Sequence, residues 1–177
     1  MNKTMYILVI AALLLVVAGC GETASPGNSG EGTKVELTGN EMLDAHNVVR
    51  QNVSPAPSTP IPDLVWDDEL AASAQAWADR CKFEHSGPGE NLFASSGSGT
   101  APQQVVDSWA GEAASYTYDN NSCSIVCGHY TQLVWQDTVH IGCAATSCDN
   151  LAAFGGPGEL WVCQYDPPGN FIGRKPY

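Results

Sequence analysis

Six cysteines, Cys81, Cys123, Cys127, Cys143, Cys148 and Cys163, follow a short apolar leader, and together they constrain this chain more than any helix or strand pattern does. Lys3 precedes an apolar run from Met5 to Ala18 that stops at Gly19-Cys20. A charged start, a short apolar core and small residues at its end make an export signal, and the run falls short of the roughly 20 residues that a spanning helix needs. Export delivers the cysteines to an oxidising compartment, where an even number reads as three disulfides. Spacing leaves their connectivity open. Cys123 and Cys127 are close enough to close a small loop, and Cys143 and Cys163 fall on two expected strands. A zinc knuckle is disfavoured, because export favours bridges and no paired two-residue Cys spacing is present.

The leader ends in Val17-Ala18-Gly19-Cys20, which resembles a bacterial lipoprotein box, so Cys20 is expected to become the acylated first residue of the mature chain. Acyl chains anchor through buried methylenes, about 0.8 kcal/mol each, without a transmembrane helix. The stretch from Gly21 to about Thr33 is Gly, Ser, Glu, Thr and Pro with no apolar periodicity and reads as a tether. The expected organisation is a signal over residues 1–19, lipidated Cys20 with its tether over 20–37, and one folded domain over 38–177. The formal net charge of −12 becomes one unit more negative when Lys3 leaves with the signal. Such a chain repels nucleic-acid phosphates and is not held to a membrane by a basic patch.

Helical periodicity begins after Thr38-Gly39-Asn40-Glu41, which has capping-box spacing, with Met42, Ala45, His46 and Val49 on one side of a helix over about Glu41–Asn52. The Pro-rich stretch from Ser54 to Pro62 ends it. Asp67 is placed to cap a second helix running through Leu70, Ala74, Trp77 and Ala78 to about Cys81. Gly87 to Thr100 reads as mostly loop, anchored by Glu90-Asn91-Leu92-Phe93. Thr100 as cap, Pro102 in the first turn and Gln103 open a third helix whose buried side is Val105, Val106, Trp109 and Ala113, with Glu112 on nearly the same face as Trp109. Gly128 to Trp135 fits a short helix or an irregular segment equally well. Val139 to Thr146 and Leu160 to Tyr165 read as strands, joined through Gly155-Gly156-Pro157-Gly158. Helices early and antiparallel strands late make an α+β domain.

Three motifs in order, His85-Ser86-Gly87-Pro88-Gly89-Glu90-Asn91-Leu92, Cys127-Gly128-His129-Tyr130-Thr131-Gln132-Leu133-Val134-Trp135 and Tyr165-Asp166-Pro167-Pro168-Gly169-Asn170, resemble the CAP superfamily of cysteine-rich secretory, antigen five and pathogenesis-related class one proteins, with the plant branch most similar. The resemblance covers the chain from about Asn40 to its end. It implies a three-layer α/β/α sandwich with a small antiparallel sheet, and it pairs Cys81 with Cys148, Cys123 with Cys127 and Cys143 with Cys163. It also matches His85, Glu90, Glu112 and His129 to the four residues that line the family's central cavity.

Those residue types suit two different roles. Two imidazoles are ligands for Zn²⁺ that leave coordination positions open, with Glu90 and Glu112 orienting the rings from behind; the same four side chains can also neutralise one another as a structural polar network. Zn²⁺ is thus an optional ligand and is not required for folding. His46 reads as a packing and hydrogen-bonding residue, His140 as a surface residue, and Tyr116, Tyr118 and the loop to Cys127 as the lining of an apolar groove. No Gly-x-Ser-x-Gly elbow and no His-Glu-x-x-His motif is present. The leading expectation is therefore a monomeric, extracytoplasmic, non-enzymatic binding module. The resemblance implies a sterol, a fatty acid or a partner protein as what it binds. The alternatives are a metal-dependent hydrolase with Glu90 or Glu112 as general base, and a disulfide-stabilised scaffold with an unused cleft.

Overall fold

A computed structural model describes residues 33–35 and 39–177. The leader, Cys20, most of the tether and Thr38 of the expected capping box lie outside the described residues. Helices α1 (Gly39–Gln51), α2 (Asp68–Ala78), α3 (Pro102–Gly111) and α4 (Gly128–Leu133) surround a sheet built on two long strands, β6 (His140–Leu151) and β7 (Gly156–Asp166). Short strands β1 (Thr33–Val35) and β2 (Val65–Trp66) pair with β6, and β3 (Glu90–Ser96) pairs with β7 at the opposite edge. A two-stranded ribbon, β4 (Tyr116–Thr117) with β5 (Ser122–Cys123), stands apart. All sheet pairings are antiparallel except that of β2 with β6. β1 lies inside the stretch read from the sequence as tether.

Side chains alternate across β6 and β7, and the alternation makes two cores. Ile141, Cys143, Ala145, Trp161, Cys163 and Tyr165 face α1, α3 and α4, while Ala144, Cys148, Leu160 and Val162 face α2. Helices on both faces of one sheet make the α+β sandwich that the motifs imply. Contact with α2 is close enough to require glycine at position 142. A Cβ there would stand 2.1 Å from the Ala71 nitrogen and 2.5 Å from the Leu70 carbonyl carbon.

Asp67 opens α2 as expected: its Oδ1 accepts from the N–H groups of Glu69 and Leu70 at 2.8 and 2.9 Å. Four expectations need correction. Gly87 to Thr100 is not mostly loop, because Glu90–Ser96 pairs residue for residue with Gln164–Gly158 of β7. The flanking glycines hide an edge strand whose hydrogen-bonding partner is distant in sequence. The third helix is capped one residue later than Thr100, at Ala101, whose N–H donates to Gln104 Oε1 at 2.9 Å, while the Thr100 hydroxyl is engaged with Ser95. That helix also ends at Gly111, so Ala113 sits exposed in a 3₁₀ turn (Glu112–Ser115) and not in the core. The expected Gly-rich connection is partly strand, since β7 already begins at Gly156.

The bridges are Cys81–Cys148, Cys123–Cys127 and Cys143–Cys163. They tie the end of α2 to β6, close the small loop before α4, and cross-link β6 to β7. Arg50 is the other long-range tie. Its buried guanidinium donates to the carbonyls of Pro62, Leu133, Trp135 and Thr138 at 2.9–3.1 Å. Burial lowers its pKa to about 10, so the cation persists at neutral pH.

Candidate functional site

Two His–Glu pairs form, the first of them at the start of β3. The turn before β3 brings His85 and Ser86 back over Glu90, whose carboxylate is almost wholly buried. Its Oε1 accepts from His85 Nδ1 at 3.2 Å and from Ser86 N–H at 2.8 Å; its Oε2 accepts from the Ser86 hydroxyl and from Gln164 Nε2 at 3.3 Å. Four donors use the full acceptor capacity of that carboxylate.

The second pair is built where α3 ends and α4 begins. Glu112 directly follows α3, and its Oε2 accepts from the N–H groups of His129 and Tyr130 at 3.0 and 3.3 Å, two of the donors left unpaired at the start of α4. Its Oε1 accepts from His129 Nδ1 at 2.6 Å. Trp109, three residues before Glu112, stacks against the His129 ring with centroids 6.2 Å apart. The expected shared face of Trp109 and Glu112 thus holds His129 from two sides.

Asn91 joins the pairs. Glu90 and Asn91 are consecutive on β3 and point opposite ways, Glu90 to His85 and Asn91 to α4, where its Nδ2 donates to the His129 carbonyl and to Tyr165 Oη, each at 3.1 Å. The link was not apparent from the sequence. Asn91 is adjacent to Glu90 in the first motif, but its partners lie 38 and 74 residues away. Ser86 and Gln164 were likewise not singled out as partners of Glu90.

Each histidine engages its carboxylate through Nδ1, and no described residue occupies either Nε2. A carboxylate behind Nδ1 with Nε2 left open is the arrangement seen in metal-binding histidines, so the donor chemistry fits Zn²⁺ held by His85 and His129. Among the described residues, no group of three or more His, Cys, Asp or Glu side chains is gathered for a metal ion. The set is therefore shorter than the three protein ligands usual for catalytic zinc.

His46 stands apart from these pairs, fully buried between α1 and β7, donating from Nδ1 to the Met42 carbonyl at 2.7 Å and accepting at Nε2 from Tyr165 Oη at 2.8 Å. Burial lowers its pKa to about 4, against the effect of the Met42 carbonyl and with help from nearby Arg50. Its role is the expected one of packing and hydrogen bonding. His140 begins β6 and is partly buried.

Two depressions meet at Val48 between α1 and α3 and together make an α1–α3 groove. One, about 380 Å³, is lined by Val48, Val49, Val53, Ala110, Ala113 and Tyr130 with Asn52 and Ser54; the other, about 400 Å³, lies against Ala45, Val48 and the start of α3 at Ala101-Pro102-Gln103, with the carboxylates of Glu41 and Asp44 at its edge. Val48 lines both and is exposed. A third cavity, about 280 Å³, is bounded by Tyr116, Cys123, Cys127, Trp135 and Phe171. Tyr116 and the cysteine loop thus line this cavity, together with polar Asn121, Thr131 and Asn170, and Tyr118 is not among its lining residues.

Residues 43–165 match the family model described as CAP, the cysteine-rich secretory protein family. The chain belongs to the CAP family. GLIPR1-like protein 1 of Mus musculus is 41% identical over 150 residues, covering 77% of this chain and 62% of the relative. The chain thus spans about three-fifths of that protein's length. Pathogenesis-related protein 1 of Arabidopsis thaliana is 40% identical over 150 residues, covering 81% of this chain and 85% of the relative. Among solved structures, Schistosoma mansoni venom allergen-like protein 4 superposes with a TM-score of 0.63 at 26% identity, covering 80% and 95% of the two chains. NaASP2 with Zn²⁺ superposes with a TM-score of 0.60 at 30% identity, covering 78% and 83%. The secretory family and the three disulfides agree with an extracellular protein.

Proposed function

We propose that this CAP protein is an extracytoplasmic, non-enzymatic binding module, anchored through lipidated Cys20, that takes a small apolar ligand of fatty-acid or sterol type along the α1–α3 groove. The observation that carries this reading is the contrast between two surfaces. The groove's two parts are each within the range of about 300–1,000 Å³ typical of ligand sites, and apolar side chains supply much of their walls. Glu90, by contrast, spends its oxygens on four internal donors and Glu112 spends its own on three, which counts against either as the general base of a hydrolase. A partner protein on the same face is the coarser form of the same reading.

His85 and His129 are the residues that would hold Zn²⁺, with Glu90 and Glu112 fixing the two ring orientations through Nδ1. NaASP2, a relative solved with Zn²⁺, supports testing this site. A bound Zn²⁺ would supply Lewis acidity and a cross-link between the β3 turn and α4. Native mass spectrometry of the purified protein, with and without added zinc, reads metal and copurifying lipid together. A retained fatty acid or sterol that is lost in Val48→Asp supports the groove reading. Retention no greater than that of an unrelated acidic protein overturns it. Zinc uptake abolished by His129→Ala would assign the metal independently of the lipid.

A further inference from the structure

The disulfide loop before α4 and the C-terminal segment lie side by side and present an apolar tip. Ile125 is 83% exposed and Ile172 fully exposed, and Val126 and Phe171 beside them are each about half exposed. Both loops border the 280 Å³ cavity, with Cys123 and Cys127 on one side and Phe171 and Gly173 on the other. The segment is held there firmly. Asn121 Nδ2 donates to the Arg174 carbonyl at 3.1 Å, Asn170 Nδ2 donates to the Gly128 carbonyl at 2.8 Å, and Thr131 Oγ1 donates to Asn170 Oδ1 at 2.7 Å. Those polar side chains are spent on internal partners, which leaves Ile125, Val126, Phe171 and Ile172 as the tip's exposed apolar groups.

Its charge pattern is as distinctive. The chain carries 19 Asp and Glu against 7 Lys and Arg, yet no Asp or Glu lies between Asn120 and Gln136 or between Pro167 and Tyr177. The nearest cations are the consecutive Arg174 and Lys175. Arg174 lies over Phe171 and pairs with Asp137 at 2.8 Å, and Lys175 lies over Tyr118. In this acidic protein the two segments of the tip thus carry no carboxylate of their own, Asp119 and Asp137 bordering the first, and they expose branched and aromatic side chains.

We propose that this tip inserts into the headgroup region of a phospholipid bilayer and so orients the domain on the membrane to which it is tethered. Insertion by apolar side chains needs no basic patch, and exposed apolar patches mark such contacts. Twelve residues separate Cys20 from Thr33 of β1, a reach of roughly 40 Å, enough to bring any side of a domain of this size to the surface. A second copy of the chain is a poorer occupant, because four side chains on two loops fall far short of the roughly 20 residues a side of a stable interface. The proposal takes only the approach to the membrane from the anchor at Cys20; insertion itself is a property of the tip.

Hydrogen exchange read by mass spectrometry tests it, using the full exported protein on vesicles of phosphatidylcholine and phosphatidylglycerol and the same protein without vesicles. Slowed exchange confined to residues 123–127 and 170–175 on vesicles, and lost in the double variant Ile125→Asp/Ile172→Asp, is the expected result. Unchanged exchange there in vesicle-bound protein overturns the proposal. So does protection of the same segments that grows with protein concentration without vesicles, which would make the tip a self-association face. Cys20→Ser, followed by flotation, reads the anchor separately, so its failure is not confused with failure of the tip.

Discussion

His46 gives a prediction whose sign and size follow from its surroundings. Its ring is neutral in the native state, with Nδ1 donating to the Met42 carbonyl and Nε2 accepting from Tyr165 Oη, which itself accepts from Asn91. Protonation would turn Nε2 into a second donor to that hydroxyl, place an imidazolium near the Arg50 cation, and do so without solvent. The native pKa is therefore about 4, against 6.5 unperturbed. As pH falls below 6.5 the unfolded chain takes up the proton and the native state does not, so stability is complete above 6.5, falls with pH, and stops falling below about 4. At about 1.4 kcal/mol per pH unit the total is about 3 kcal/mol, of which about 2 is lost by pH 5. His46→Gln keeps a neutral donor and acceptor but cannot titrate. Urea unfolding of both proteins from pH 7.5 to 4 reads the difference. Whatever the variant loses at pH 7.5, its curve should fall less steeply, and the two should converge or cross on the acid side. Parallel curves would refute the reasoning.

Gly142→Ala should prevent close seating of α2 on β6, since the new methyl meets backbone that cannot turn aside; a loss of several kcal/mol, about 3 or more, is expected in urea unfolding. Arg50→Lys cannot span four carbonyls, and each one left without a donor costs about 1–3 kcal/mol, read as a lower denaturant midpoint with an unchanged slope. Removing Cys81–Cys148, which spans 67 residues, should cost about 4 kcal/mol against about 2 for Cys123–Cys127, which spans 4, by the loop-entropy relation; equal losses would count against that ordering. Glu112→Gln keeps an acceptor but loses its charge at the start of α4 and should lower stability by about 1 kcal/mol, with altered His129 ring resonances in NMR.

The parts of this fold legible in the sequence are those set by neighbours a few residues apart. Asp67 caps because its side chain reaches the N–H groups two and three residues on, and β6 and β7 carry enough branched and aromatic residues to declare themselves strands. The implied disulfide pairs form as the family resemblance has them. β3 was missed because its strand character resides in pairing with β7, more than sixty residues later, while its own flanks are glycines. The four cavity residues fall into two local pairs for a similar reason. His85 and Glu90 are joined by a turn that short-range chemistry can build, but His129 reaches Glu112 only after α3 has packed on α4. Nothing in the pattern around Val48 announces a groove, since an exposed valine on a helix looks like any other surface residue until a second helix lies beside it.

Arg50 recognises only main-chain oxygens, at positions 62, 133, 135 and 138. Main-chain oxygens are present whatever amino acid stands there. The anchor thus leaves those four positions free to vary, as far as this contact is concerned, while position 50 itself has no such freedom, because no change of partner can compensate for its loss. Drift in the motifs around α4 and drift at Arg50 are therefore decoupled. Engineered replacements of the cleft wall can be tried without redesigning the tie that holds the wall in place.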